Sequence, residues 1–178
     1  MRRVRGMVEG LDGNTLVVKS REGDTLRTQL APEYKVAAVV SANLSAAKPG
    51  TFIAAAAAAA AGPKDHMRAL EVAIFPEVMR GTGEGHYAWD LTPESTTTNA
   101  TTESEVSASG VRELTLVTKG EKLKISVPLD APVVTFEPGT PAMLVPDAKV
   151  FVGAQASADG SLTAGGVAVG KDGLTPPM

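Results

Sequence analysis

Thr15-Leu16-Val17-Val18-Lys19-Ser20, Arg21-Glu22-Gly23-Asp24 and Thr25-Leu26-Arg27-Thr28-Gln29-Leu30 are two runs rich in apolar and β-branched residues on either side of a Gly-bearing turn. That arrangement predicts a β-hairpin. Residues 114–117, the turn Lys119-Gly120-Glu121 and residues 122–127 repeat it. Within the second hairpin, Leu123-Lys124-Ile125-Ser126-Val127 alternates apolar with polar. One face of that strand is therefore buried and the other wet, as in an antiparallel barrel or a curled sheet.

The likeness extends beyond the hairpins. Val8 matches Val106 at an offset of 98, and Leu26, Val36 and Pro49 match Leu123, Val133 and Pro146 at 97. Ala69, Val72 and Ile74 match Ala164, Val167 and Val169 at 95. A drift of three positions over some seventy residues is what short loop deletions produce, so the sequence reads as an internal repeat. Val4 to Val8 leads into the turn Asp12-Gly13-Asn14, and Lys48-Pro49-Gly50 announces another strand at Thr51-Phe52-Ile53. The fold expected is all-β: two tandem, small, antiparallel five-stranded barrels of the oligonucleotide/oligosaccharide-binding (OB) kind, related by duplication. Their expected ranges are 1–75 and 105–178, the second ending in a tail, with an irregular loop over 76–104.

The tract from Ala54 to Ala61 tests this reading, because eight alanines favour helix on intrinsic propensity. The matching stretch Val150-Phe151-Val152-Gly153-Ala154-Gln155-Ala156 leads through Ala158-Asp159-Gly160 into another β-rich run. The repeat therefore predicts strand for most of the tract, with a turn at Gly62-Pro63-Lys64-Asp65.

Hydrophobic residues make up 43% of the 178, enough for a real core, but aromatics only 4%. The core must come from Val, Leu, Ile and Ala, and platforms on which bases stack are poorly supplied. A net charge of -3 provides no basic field for nucleic acid. Arg2, Arg3 and Arg5 read as solvated charges on a first strand. There is no Cys, which excludes disulfides and thiolate chemistry. No secretion signal is read in the opening residues, and the apolar stretch from Ile53 to Ala61 is too short for a membrane-spanning helix.

The part outside the repeat is where specific chemistry is expected. A loop of about thirty residues is usually functional or disordered, and its Trp argues against disorder here; it holds Arg80-Gly81-Thr82-Gly83-Glu84-Gly85-His86-Tyr87-Ala88-Trp89-Asp90-Leu91. Its three alternating glycines free the backbone. Arg80, Glu84, His86, Trp89 and Asp90 are the candidate ligand-binding residues, and Glu84, His86 and Asp90 are of the types that hold a divalent metal. The competing and favoured reading has Trp89, Tyr87 and Leu91 plugging the seam between the barrels, with Arg80 paired to Asp90 or Glu84. His66 is expected in an exposed hairpin turn, and Glu9 and Glu71 on the wet faces of strands. No G-x-S-x-G elbow or phosphate-binding Gly loop is present, and no catalytic residue is assigned.

The string Phe75-Pro76-Glu77, Met79-Arg80-Gly81-Thr82-Gly83-Glu84-Gly85-His86, Trp89-Asp90-Leu91 and Thr98-Asn99-Ala100-Thr101 resembles a group of bacterial cell-envelope proteins of uncharacterised function. The closing Val169-Gly170-Lys171-Asp172-Gly173-Leu174-Thr175-Pro176-Pro177-Met178 is similar to their carboxyl terminus. The resemblance implies tandem OB-like barrels, export, and a periplasmic or extracellular location, and it implies no reaction. The function expected is thus a non-catalytic envelope scaffold or binding protein that self-assembles through exposed strand edges. Its partners would be other envelope proteins or copies of itself, with no nucleic acid and no membrane span. The alternatives are a carrier of metal or small ligand using the loop from Gly81 to Asp90, and a hydrolase of envelope polymers.

Overall fold

A computed structural model describes residues 1–60, 66–108 and 110–178 of the chain, and the architecture is all-β. Among the described residues the strands are β1 (Arg2–Asp12), β2 (Thr15–Ser20), β3 (Thr25–Ser41), β4 (Phe52–Ala59), β5 (His66–Ile74) and β6 (Gly85–Ala88). They continue with β7 (Thr96–Ala108), β8 (Val111–Thr118), β9 (Glu121–Val127), β10 (Val133–Pro138), β11 (Lys149–Ala156) and β12 (Leu162–Gly170). Both quoted hairpins form. Lys119 and Gly120 hold φ of 47° and 84°, the two left-handed residues that a tight turn between twisted strands requires.

The chain divides into two compact units. Unit 1 comprises Met1–Val40 and Phe136–Pro176, and unit 2 comprises Ser41–Thr135 and Pro177–Met178. In unit 1, β2 pairs antiparallel with both β1 and β3. On its other side β1 pairs antiparallel with β11, β11 with β12, and β12 runs parallel to β3. The circuit is a closed five-stranded barrel. Alternation fills it: Leu16 and Val18 of β2 point inward with Val4, Val8, Leu30 and Val36, and β11 and β12 add Val150, Val152, Leu162, Val167 and Val169.

Unit 2 is built from β4, β5, β7, β8 and β9, with β6 and β10 as extra strands. β4 lies antiparallel between β5 and β7, β8 between β7 and β9, and β5 runs parallel to β9. β10 continues the parallel pairing further along β5. The core contains Ile53, Val72, Leu114, Leu116, Ile125 and Val127, with Ala55, Ala57 and Ala69. Ala54 to Ala59 are thus strand, as the repeat predicts for most of the tract, and burial of Ala55, Ala56 and Ala57 in a strand paired on both sides overrides their helix propensity. The predicted turn over 62–65 lies outside the described residues.

The units do not follow the expected ranges 1–75, 76–104 and 105–178. β1 takes its second neighbour from β11, over a hundred residues away, and β4 and β5 pair with β7 and β9 instead. The expected loop is also shorter than read. The Thr-rich stretch forms the first half of β7, with Thr97, Thr98 and Asn99 buried. β-branched Thr suits a strand, and hydroxyls that find partners can be buried.

Ladder registers in the two units correspond residue by residue. β12 sets Leu162 against Thr28 and Val167 against Val36. β5 sets Met67 against Ile125 and Val72 against Val133. Partners on the receiving strands are 97 positions apart and those on the added strands 95. One sequence match falls out of register. Val8 sits buried at the β1 bulge opposite Val18, whereas the same point of the β7 bulge is Thr102 opposite Leu116. Val106 is 57% exposed and pairs with Glu113.

Candidate functional site

The segment between β5 and β7 is ordered by its own polar contacts. After a 3-10 turn at Glu77–Met79, the Arg80 guanidinium donates to the Glu77 carboxylate and, at 2.7 Å, to the Gly50 carbonyl. The bond to Glu77 lowers its carboxyl below the ordinary pKa and raises Arg80. The carboxylate held by Arg80 is therefore Glu77, a residue near enough in sequence to be reached without a loop excursion. β6 then pairs antiparallel with β7, from Gly85 opposite Asn99 to Ala88 opposite Thr96. It lies on the same edge of β7 that β8 occupies further along, so a short polar strand covers an edge that would otherwise be bare.

The predicted site residues follow from this pairing. His86 is exposed and its Nδ1 lies 2.9 Å from Thr98 Oγ1. Glu84 accepts from Thr118 at 3.4 Å, and Asn99 donates to the Thr82 carbonyl at 3.0 Å. Trp89 is half-buried, edge-on to Tyr87 with centroids 6.3 Å apart, and its amide donates to the Ser95 carbonyl at 2.7 Å. Asp90 is exposed. Glu84, His86 and Asp90 are not gathered: no group of three or more His, Cys, Asp or Glu among the described residues lies close enough to hold a metal ion. Only His86 of the three lies in β6, turned to Thr98, whereas Glu84 precedes the strand and is held by Thr118, and Asp90 lies past its end.

Three other expectations are corrected. His66 is the first residue of β5, half-buried, with Nε2 3.0 Å from a Glu113 oxygen whose partner oxygen lies 3.5 Å from Lys124. Glu71 is buried, not on a wet face. Arg5 is buried too, its guanidinium 5.4 Å from the centroid of the Phe151 ring. A cation is tolerated there because the ring face is electron-rich. Glu9 stands on the wet face as read, accepting from Thr25 at 3.2 Å.

The feature that sequence reasoning missed lies in unit 1. A groove of about 440 Å³ opens beside the β1–β2 turn, against β3, β11 and β12. Gln155, Thr163 and Gln29 line it, and they are register partners: Gln155 faces Thr163, and Thr163 faces Gln29. Thr15 extends the line, facing Gln29 and donating to its Oε1 at 3.1 Å. Four neutral polar side chains therefore cross four adjacent strands at one level, a row of roughly 15 Å at ordinary strand spacing. Asn14 joins from the turn, donating to the Ala31 carbonyl. No ionisable side chain lines the groove. The corresponding row in unit 2 is Ala58, Arg68, Ser126 and Glu113, so the amides and hydroxyls are not demanded by the barrel. The signal was present as Thr15, Gln29, Gln155 and Thr163 on the polar phases of their strands, but only the strand order shows that they align.

The β11–β12 turn flanking this groove is fixed by Asp159, which accepts from the backbone amide and hydroxyl of Ser161 at 3.0 and 2.7 Å. The hydroxyl bond, then the amide bond, lowers the Asp159 carboxyl below its ordinary value.

No family model, curated protein or solved structure matches the chain. No helix among the described residues is long and apolar enough to cross a membrane.

Proposed function

We propose that the protein is a non-catalytic binding and scaffold protein of the bacterial envelope, exported to the periplasm or beyond, whose unit 1 takes a neutral, hydroxyl-rich chain such as an oligosaccharide. The observation that carries the ligand class is the row Gln155, Thr163, Gln29 and Thr15 across four strands. Amides and hydroxyls both donate and accept, which suits sugar hydroxyls, whereas a polyanion would meet no cationic side chain in the groove. The strand order of unit 1 is that of an OB barrel, whose ligands lie across the second and third strands between the first and last hairpin loops. The groove lies on β3 beside the β1–β2 turn, which supports that likeness. We read the matching registers of the two units as a duplication in which one copy kept this row.

Amide chemical-shift mapping with neutral oligosaccharides tests the reading. Shifts are expected at Thr15, Gln29, Gln155 and Thr163 and not at Arg68 or Ser126. Gln155→Ala and Gln29→Ala should each weaken binding about fivefold, the equivalent of one net hydrogen bond of roughly 1 kcal/mol. Shifts produced equally by anionic and neutral chains, or absent from the row, would sink it.

A further inference from the structure

We propose that the β11–β12 hairpin is an exchangeable closing element, and that two copies of this protein join by each closing the other's unit 1 with it. The proposal rests on the scaffold reading in that it supplies the contact by which copies associate.

Four observations lead there. First, the exchange already happens inside one chain. β1, β2 and β3 come from the first half and are closed by β11 and β12 of the second, while β7, β8 and β9 are closed by β4 and β5. The two halves have traded their last two strands at unchanged register.

Second, the circuits leave little edge to pair through. Both ladders return to their starting strand, and β6 covers the stretch of β7 that β8 leaves. Association by bare edges, the obvious route for a β protein, is therefore poorly provided for.

Third, the hairpin supplies half of a core. Val150, Val152, Ala154, Leu162, Val167 and Val169 are all buried against β1, β2 and β3. A released hairpin must find an identical receptor, and that receptor is another copy's unit 1. The ladders in such a dimer are those of the monomer, so only the link and the entropy of association separate the two states.

Fourth, the links are alike in length and turn but not in ease. Residues 42–51 and 139–148 each run ten residues, with 3-10 turns at Leu44–Ala46 and Pro141–Met143. Fully extended, ten residues reach about 33 Å. Where the first link has Gly50 at φ 88°, the second has Asp147 at φ 68°. The Asp147 amide is held there by the Val8 carbonyl at 2.9 Å, but Asp meets this φ less readily than Gly, and opening the link relieves that difference. The second link, which carries β11 and β12, is the one primed to open.

The absence of Cys makes the test direct. Met7 and Lys149 face each other across β1 and β11, and neither is fully buried. The full-length single variants Met7→Cys and Lys149→Cys are unfolded, mixed, refolded over a range of concentrations and oxidised. A cross-link joining the two different chains, rising with protein concentration and absent from either variant alone, is the result expected. The double variant Met7→Cys/Lys149→Cys, refolded dilute, should cross-link within one chain and so reports that the barrel closes. As a measurement free of cysteine, Asp147→Gly should lower the dimer fraction seen by light scattering severalfold. Intrachain cross-linking without any between chains at every concentration would overturn the proposal. If oligomers nevertheless form, the scaffold reading survives through another surface; if none form, self-assembly falls with it.

Discussion

Gly50 and Asp147 stand at the same point of the two ten-residue links, each directly after a proline, with φ of 88° and 68°. The first residue meets that conformation without a side chain and the second with one. Asp147→Gly is therefore expected to raise stability by about 0.5–1 kcal/mol and Gly50→Asp to lower it similarly. In a domain of this size 1 kcal/mol is roughly 2–4 °C in Tm. Calorimetry of the two variants checks the sign; equal and opposite shifts are the expectation, and a fall in Tm for Asp147→Gly contradicts it.

Leu162 belongs to β12 yet packs among Val4, Leu16 and Val18. Truncation to Ala should cost about 2–5 kcal/mol. Hydrogen exchange should then speed up in residues 1–40, not in residues 111–127 of its own half. The reciprocal variant Ile125→Ala should speed exchange in β4 and β5 and leave β1 to β3 protected. Loss confined to the mutated half in both cases would contradict the observed pairing.

Asp159 and Glu22 are carboxyls held below their ordinary pKa, Asp159 chiefly by the Ser161 hydroxyl and Glu22 chiefly by a backbone hydrogen bond and then Ser20. A lowered folded-state pKa stabilises the fold above the unfolded value, and the gain is lost as pH falls through the folded value. Stability should thus decline from about pH 5 downward. Because both carboxyls lie at the surface, the slope should be shallow. Ser161→Ala should flatten it further, which denaturant titrations between pH 6 and pH 3 would reveal.

Arg80 ties the segment before β6 to Gly50 and Glu77. Being exposed, it should matter little to global stability, and Arg80→Met is expected to leave Tm nearly unchanged. Locally the effect should be larger. Amides of residues 80–88 should exchange faster while Leu114 and Leu116 remain protected, and unchanged exchange at Gly85 and Tyr87 would show that β6 holds without this anchor.

How much of this was legible in the sequence depended on the range of the interaction. Hairpins such as residues 15–30 and 111–127 were legible because alternation and turn residues are local signals, and the Ala tract became legible once its counterpart was set beside it. The pairing of β11 with β1 was not, since the pattern of β11 is equally suited to β1 or β7 and nothing in a strand's own residues names its partner. Val8 matched Val106 by type, although the β7 bulge places Thr102 at that point. The stretch Thr96 to Thr102 looked like loop because its buried residues, Ala100 apart, are polar and show no alternation of hydropathy. The metal reading relied on closeness in sequence, but Glu84 is held by Thr118 and His86 by Thr98, contacts that only the strand pairing shows. The neutral row depended wholly on strand order.

The closure of unit 1 by β11 and β12 also sets when the protein can fold as it is made. β3 ends at Ser41 and β11 begins at Lys149. At roughly 5–20 residues per second, a ribosome would leave the first three strands unclosed for on the order of 5–20 s. Through that interval their apolar faces are exposed to whatever chaperone or membrane translocase attends the nascent chain. The first three strands of this topology can therefore find their closing partners only after β12 has emerged.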